Sequence, residues 1–518
     1  RAHTKISETS SVGFVPLSPT NLQAFGHGVT TWGMGSTGGT DGVIAISCDQ
    51  DDDGGAEAGA VYLLALSSPS AAAAAVDATS KLSATRGGLA QVRLAPAAGD
   101  SWGIALAALP DLDGNGDGEL CVGAEVTSYV DLLFLSSDGA GGSFVVQAGM
   151  RLSSAGSSVL PPVMRARFVA DTSWGITVAN LGDLDGDGAP ELAIAAPRDD
   201  AGASDGGAVF ILSMVPMPAV EVRFKQDAFV ELSAGTQGSA GRLAAGTVQA
   251  GDLLGGRSGG VSALDDVDGD GVGDALIGVT TDDDGATDAG SVLVVMMNTD
   301  GSVKGQQKIT AGVGLTNGAA LALAAEDRFG TNVAGMADWD GDGVPEAAVS
   351  AHLDDNLFDD AGAVWLLFLT ATGEARATYR IATQLPLSAS DAFGRGLTTV
   401  PDNDGDGKQE IAAGAYADDD GGNARGAVYI VFLQSVGGVG GTAEYRAHTK
   451  ISATSGAGWV PVSPTDSQWF GYGITLMEAT GSAAAVIAVT CHGDDDGGNE
   501  AGAVYVLALS SPSSGVAA

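Results

Sequence analysis

Five short segments of the chain concentrate oxygen ligands at a fixed spacing. They are Asp111, Asp113, Asn115 and Glu119; Asp183, Asp185, Asp187 and Glu191; Asp266, Asp268, Asp270 and Asp274; Asp338, Asp340, Asp342 and Glu346; and Asp402, Asp404, Asp406 and Glu410. Each places an acid or amide at positions 1, 3, 5 and 9 of a nonapeptide, with Gly at positions 4 and 6 in all five. Carboxylates gathered this closely repel one another unless a cation neutralises them. A hard divalent ion suits an all-oxygen set, and Ca²⁺ accepts six to eight oxygens with tolerant geometry. A main-chain carbonyl at position 7 (Asp117, Ala189, Val272, Val344 or Lys408) would complete the shell. Mg²⁺ demands a stricter octahedron, and no Cys or His belongs to the pattern, which disfavours Zn²⁺. An EF-hand needs its bidentate Glu at position 12 between two helices; here position 9 is acidic and a strand-like run follows. The alternative is that Asp-Gly pairs are only good hairpin turns, but five copies in one register, each with the same ninth acid, favour a metal.

A second acidic series follows: Asp51-Asp52-Asp53-Gly54, Asp282-Asp283-Asp284-Gly285, Asp418-Asp419-Asp420-Gly421 and Asp494-Asp495-Asp496-Gly497, with shorter forms at Asp199-Asp200 and Asp354-Asp355. Solvated turn residues and an accessory cation site are both open readings.

The elements that must hold these loops are repeated. Gly-Ala-Val-aromatic occurs at Gly59, Gly207, Gly362, Gly426 and Gly502, with a variant at Gly290 and a worn copy at Val130–Leu133. An aromatic-Gly pair precedes it at Phe25, Trp102, Trp174, Phe329, Phe393 and Phe470; in the fourth unit Arg257-Ser258 is read into that slot. Four short apolar runs per unit, rich in β-branched and aromatic residues and bounded by Gly, Asp, Asn or Pro, read as strands. Seven such units predict an all-β fold, a seven-bladed β-propeller of four-stranded blades. The expected divisions are residues 9–97, 98–155, 156–235, 236–312, 313–384, 385–453 and 454–518, with 1–8 supplying the missing outer strand of the seventh blade and closing the ring. The loops of units one and seven, Gly33–Asp41 and Met477–Ser482, lack the ligands. The longer insertions Ser67–Gln91 and Gly235–Gly256 read as surface loops. The stretch from Arg446 repeats that from Arg1 at an offset of 445 residues, consistent with duplication within one ring or with a piece of a tandem array.

Composition narrows the function. There are 518 residues, 64 acidic against 23 basic, for a formal net charge of −41. Without clustered Lys and Arg, nucleic acid is excluded as a partner and anionic membrane surface is disfavoured. No apolar run is long enough for a membrane-spanning helix. Cys48, Cys121 and Cys491 read as buried apolar residues rather than a disulfide scaffold. The five histidines, His3, His27, His352, His448 and His492, share no nucleophile partner, and Gly-x-Ser-x-Gly, P-loop and His-Glu-x-x-His motifs are absent. No enzymatic activity is therefore expected. Trp459 and Trp469 are candidates for stacking on sugars, with Trp469 more simply placed in the core beside Phe470. The Ser/Pro stretches Ser67–Ser70 and Ser510–Ser514 are candidates for O-linked glycans.

Together the phrases resemble the FG-GAP repeat of the integrin α-subunit propeller. Phe329-Gly330, Phe393-Gly394 and Phe470-Gly471 match the FG element, and Ala195-Ala196-Pro197 matches the GAP element, which is degenerate elsewhere, as at Ala413-Gly414-Ala415. The resemblance implies Ca²⁺ in first-to-second-strand loops on one face, and an extracellular or cell-surface setting. It implies a structural or adhesive role toward other extracellular proteins or glycans, or copies of the chain itself. A repeat unit of a tandem or filament-forming surface protein is the alternative; a non-catalytic propeller attached to a secreted enzyme is a further one. Integrin ligand specificity is not implied, since no matching recognition loops are found.

Overall fold

A computed structural model describes residues 3–7, 24–32, 42–67, 75–137, 143–153, 172–200, 202–215, 224–233, 243–244, 246–256, 259–454, 467–477, 485–495 and 501–509. Among these, every regular element is a β-strand, and the strands form seven four-stranded antiparallel sheets. The sheets are blades of one propeller. Their inner strands, beginning at Phe25, Trp102, Thr177, Val261, Phe329, Phe393 and Phe470, pack on one another in ring order.

Blade 5 shows the plan. Its strands are Phe329–Gly335, Glu346–Ala351, Ala363–Leu369 and Ala375–Ile381, each paired with the next. The second and third strands are buried along their whole length, whereas the outer strand is mostly half-buried. This follows from position: central strands are covered on both faces by neighbouring blades and need apolar residues throughout. The core therefore lies between blades. One cluster runs from Leu264 and Leu276 of blade 4 through Val349, Phe368 and Phe393 to Tyr429 of blade 6.

The two recurrent phrases meet across blade boundaries. Gly290 bridges Phe329, Gly362 bridges Phe393, Gly426 bridges Phe470, and Gly502 bridges Phe25, each with parallel pairing. The third strand of one blade thus begins against the first strand of the next. Glycine is required there: a Cβ on Gly290 would lie 2.1 Å from the Phe329 carbonyl oxygen, and its φ is +85°.

The same bridge corrects the fourth unit. Gly207 pairs with Leu254, so the slot is filled by Leu254-Gly255 rather than by Arg257-Ser258, which fall outside the described residues. Leu254 is fully buried, and Gly255 takes φ +87°. An aliphatic side chain replaces the aromatic one while the backbone is kept, which hid the unit from a search for aromatic residues.

The seventh blade is completed from the other end of the chain. His3–Ile6 pairs antiparallel with Ala503–Ala508, matching Lys5 to Tyr505. Thr442–Ser452 lies on blade 6 in the same way, with Lys450 opposite Tyr429. Cys48, Cys121 and Cys491 are buried, and none of them is in a disulfide.

Candidate metal centres

Each acidic nonapeptide forms the hairpin between the first and second strands of blades 2 to 6. The ninth residue is the first of the second strand, which buries it: Glu119, Glu191, Asp274, Glu346 and Glu410 are all at most 2% exposed. Its carboxylate accepts the N–H of position 2, as Glu410 does from Asn403 at 2.8 Å and Asp274 from Val267 at 2.8 Å.

The first residue shapes the turn. Asp402 accepts the N–H groups of Gly405 and Gly407 at 2.6 and 2.8 Å, and Asp338 those of Gly341 and Gly343 at 2.7 and 2.9 Å. The fifth residue caps the seventh: the Val344 N–H donates to Asp342 at 3.0 Å, and that of Ala189 to Asp187 at 2.9 Å. In blade 2 the Asn115 oxygen does the same for Asp117 at 2.7 Å, while its amide donates to the Leu135 carbonyl. The side chain of Asp117 accepts from the Ser137 N–H, so this side chain is part of the frame. Lys408 turns its ammonium to the Trp339 carbonyl of blade 5.

One potential ligand atom from each of Asp338, Asp340, Asp342 and Glu346 lies within 4.8 Å of the others, and the same holds for Asp402, Asp404, Asp406 and Glu410. Blade 2 brings together Asp111, Asp113 and Glu119. Blades 3 and 4 bring together Asp183, Asp185 and Asp187, and Asp266, Asp268 and Asp270, without the ninth residue. In blade 4 the shorter Asp274 has both oxygens engaged by backbone, accepting from Val267 and Met297. The loops of blades 1 and 7 fall largely outside the described residues.

These residues fit a cation. Glu346 is 1% exposed, yet its Oε1 has no hydrogen-bond partner. A buried carboxylate oxygen left this way is costly unless something positive meets it. Burial, together with the neighbouring Asp342 and Asp338 charges, pushes the Glu346 carboxyl up to about 8, and burial pushes Glu410 to about 8 as well. Three loops also receive a basic side chain from the outer strand. Lys304 reaches Asp268 at 2.7 Å, Arg376 pairs with Asp340 and Asp342, and Arg446 with Asp404 and Asp406. Arg376 and Arg446 stand at β-bulges, opposite no partner in the ladder. In blade 2 the bulge residue is Gln147.

In the second acidic series the first member is buried, whereas the second is exposed, or half-buried in the case of Asp495. In five blades that first member pairs with a basic residue of the outer strand; in blade 3 the equivalent strand position is Glu231. The pairs are Asp51 with Lys81, Asp282 with Lys308, Asp354 with Arg380, Asp418 with Lys450, and Asp494 with Lys5. The second member accepts a backbone N–H five residues on, as Asp52 does from Glu57 and Asp419 from Ala424. The third takes hydroxyls: Asp53 accepts from Ser83 and Thr85. The protein's own ammonium and guanidinium groups occupy the place considered for an accessory cation. Asp496 and Gly497 are outside the described residues.

Two features escaped sequence reasoning. A buried Asp stands two residues before the aromatic slot at Asp100, Asp252, Asp327 and Asp391, accepting the N–H three residues back at 2.6–2.7 Å. Its constant offset from that slot was the available signal. Blade 2 replaces the aromatic of its Gly-Ala-Val phrase by Asp131, which accepts from Trp102 Nε1 at 3.0 Å and pairs with Arg151 at 2.8 Å. Trp469 is half-buried and stacks on His492, rather than lying in the core. His27 contacts Asp49, His352 contacts Thr331 and His448 contacts Tyr445. Trp459, the side chain of His3 and the stretch 510–514 are outside the described residues. No helix among the described residues is long and apolar enough to cross a membrane.

Comparison with family models agrees with this plan in blade 3. The family model described as FG-GAP repeat matches residues 174–212. That span carries Trp174-Gly175, the acidic loop of blade 3 and Ala195-Ala196-Pro197. Among solved structures, the chain is similar to one in a crystal structure of BBS1N in complex with ARL6DN, soaked with lead. The identity is 10%, the TM-score 0.42, and 96% of each chain is covered. With the matched repeat forming blade 3 of seven blades built alike, the chain is a seven-bladed β-propeller that carries an FG-GAP repeat.

Proposed function

We propose that this propeller binds Ca²⁺ in the first-to-second-strand loops of blades 2 to 6. The observation that carries the reading is the buried, partnerless Glu346 Oε1 in a set with Asp338, Asp340 and Asp342. All-oxygen donors favour a hard ion, and the hairpin's tolerance favours Ca²⁺ over Mg²⁺. An ion bound only by the folded state stabilises that state by mass action. It also offsets part of the self-repulsion of a chain at −41. Sites of this type fill where Ca²⁺ is about 10⁻⁴–10⁻³ M, which supports an extracellular or cell-surface setting.

The role that follows is structural or adhesive and non-enzymatic, toward other extracellular proteins or glycans. The test is thermal unfolding before and after EDTA. A marked fall in melting temperature, reversed by added CaCl₂, is expected; an unchanged melt removes the calcium reading.

A second reading, a repeat unit of a filament or tandem surface protein, is favoured by one observation. Lys5 and Lys450 occupy the same register on their blades, so a strand like Arg446–Ser452 from another copy would suit blade 7. Light scattering of purified chain over a concentration series tests it: growth of the scattering mass supports assembly, and a constant monomer mass opposes it.

A further inference from the structure

The face opposite the acidic hairpins carries the crossovers into each inner strand and the loops after each second strand. Near the axis of that face, described residues of blades 3 to 6 line a hollow of about 330 Å³. Its wall contains Arg198, Arg328 and Arg395, with His352 and the hydroxyl residues Thr280 and Thr331. None of the described residues that line it is Asp or Glu. In a chain with 64 acidic and 23 basic residues, three guanidinium groups around one hollow, with no carboxylate among its described lining residues, run against the composition.

The arginines are held in different ways. Arg395 lies over the Tyr472 ring at 4.3 Å and donates to its hydroxyl at 2.8 Å, a contact that fixes the guanidinium plane without neutralising it. Arg328 has a loose pairing with Asp288 at 3.3 Å. Arg198 is exposed at the rim. The field they create is felt by His352: burial first, then the Arg395 and Arg328 charges, hold its imidazole down at about 3. It is therefore a neutral hydrogen-bonding group at ordinary pH, with Nδ1 3.0 Å from the Thr331 hydroxyl. Arg395 also borders the narrower axial cavity, where Asn332 donates to the Arg395 carbonyl at 2.7 Å.

We propose that this hollow binds a small ligand bearing two or more oxyanion groups. Guanidinium forks match carboxylate, sulfate and phosphate oxygens in bidentate geometry, and the volume lies in the range of small-molecule sites. The site is independent of the calcium reading, because it stands on other loops and on the other face.

The test is calorimetric titration of the Ca²⁺-saturated protein at fixed ionic strength. One arm uses 1,3,6-naphthalenetrisulfonate and the other 1,3,5-benzenetricarboxylate, both used at concentrations that leave the protein Ca²⁺-saturated. Saturable one-to-one binding of either probe, weakened at least about tenfold by Arg395→Gln and by Arg198→Gln, is expected. Arg86→Gln, on the blade 1 loop, should leave it unchanged. The arm that binds assigns the ligand as sulfate-like or carboxylate-like. Since Arg198 is exposed, its variant should fold even if that of Arg395 does not. Absence of saturable heat in both arms up to about 10 mM, or equal weakening by Arg86→Gln, overturns the proposal.

Discussion

Lys81 Nζ lies 2.8 Å from Asp51 Oδ2, and both side chains are at most 1% exposed. The two come from different parts of blade 1, the outer strand and the loop after the second strand, so the pair pins a loop to an edge. Four other blades carry the same device. Charges removed from water are tolerable only while each keeps its partner.

Replacing Lys81 by Met should therefore cost about 3–5 kcal/mol, because Asp51 is left buried and uncompensated. The double variant Lys81→Met with Asp51→Asn should be less destabilised than the sum of the single changes. Denaturant unfolding of the four proteins in saturating Ca²⁺ checks this; strict additivity would show that the pair does not couple.

Loss of one metal loop should be local. Asp185→Ala should remove one Ca²⁺ equivalent and leave the others, since each loop belongs to its own blade. Metal analysis after gel filtration gives the stoichiometry. Simultaneous loss from all five loops would mean the sites act as one.

Arg376 sits at a bulge with its guanidinium on Asp340 and Asp342. A like charge beside a divalent ion opposes it, screened here by partial exposure. Arg376→Gln should thus tighten the blade 5 site by about tenfold. Competition calorimetry with a calcium chelator reads the change, and weaker binding would assign the arginine a supporting role.

Buried Asp327 has its carboxyl pushed up to about 6, chiefly by desolvation. Its folded value exceeds the unfolded value of about 3.9, so its contribution to stability is complete below about pH 4 and is lost as pH rises through about 6. Asp327→Asn removes that titration. The melting-temperature difference, variant minus parent, should rise between about pH 4 and 6. A flat difference across that window would contradict the assignment.

Gly330 has φ +95°, and a Cβ there would lie 2.3 Å from the Ser291 carbonyl of the preceding blade. Gly330→Ala should destabilise by about 2–4 kcal/mol through backbone strain and overpacking, seen as a fall in unfolding midpoint. A change within about 0.5 kcal/mol would show that the blades can part without penalty.

The ring was legible because its parts repeat. Residues such as Gly290 and Phe329 recur for a reason of contact, and periodicity exposes contacts that span blades. The nonapeptides were legible because one hairpin brings together positions close in sequence. What could not be read was pairing at distance: Lys81 lies in Ser67–Gln91, read as a surface loop, yet Ala75–Leu82 is the outer strand of blade 1 and sets Lys81 on Asp51, and Arg376 gives no sign of reaching Asp340. Leu254 was missed because the backbone role persisted after the aromatic side chain was lost.

The clasp between Lys5 and Asp494 joins residues 489 apart in the chain. Contacts of such separation form slowly, since loop-closure entropy is lost before any bond repays it. The circle should thus shut late in folding, after neighbouring strands have zipped locally. Until then the Ala503–Ala508 border stays open to capture by a foreign strand, which makes this seam the weakest moment in the life of the molecule.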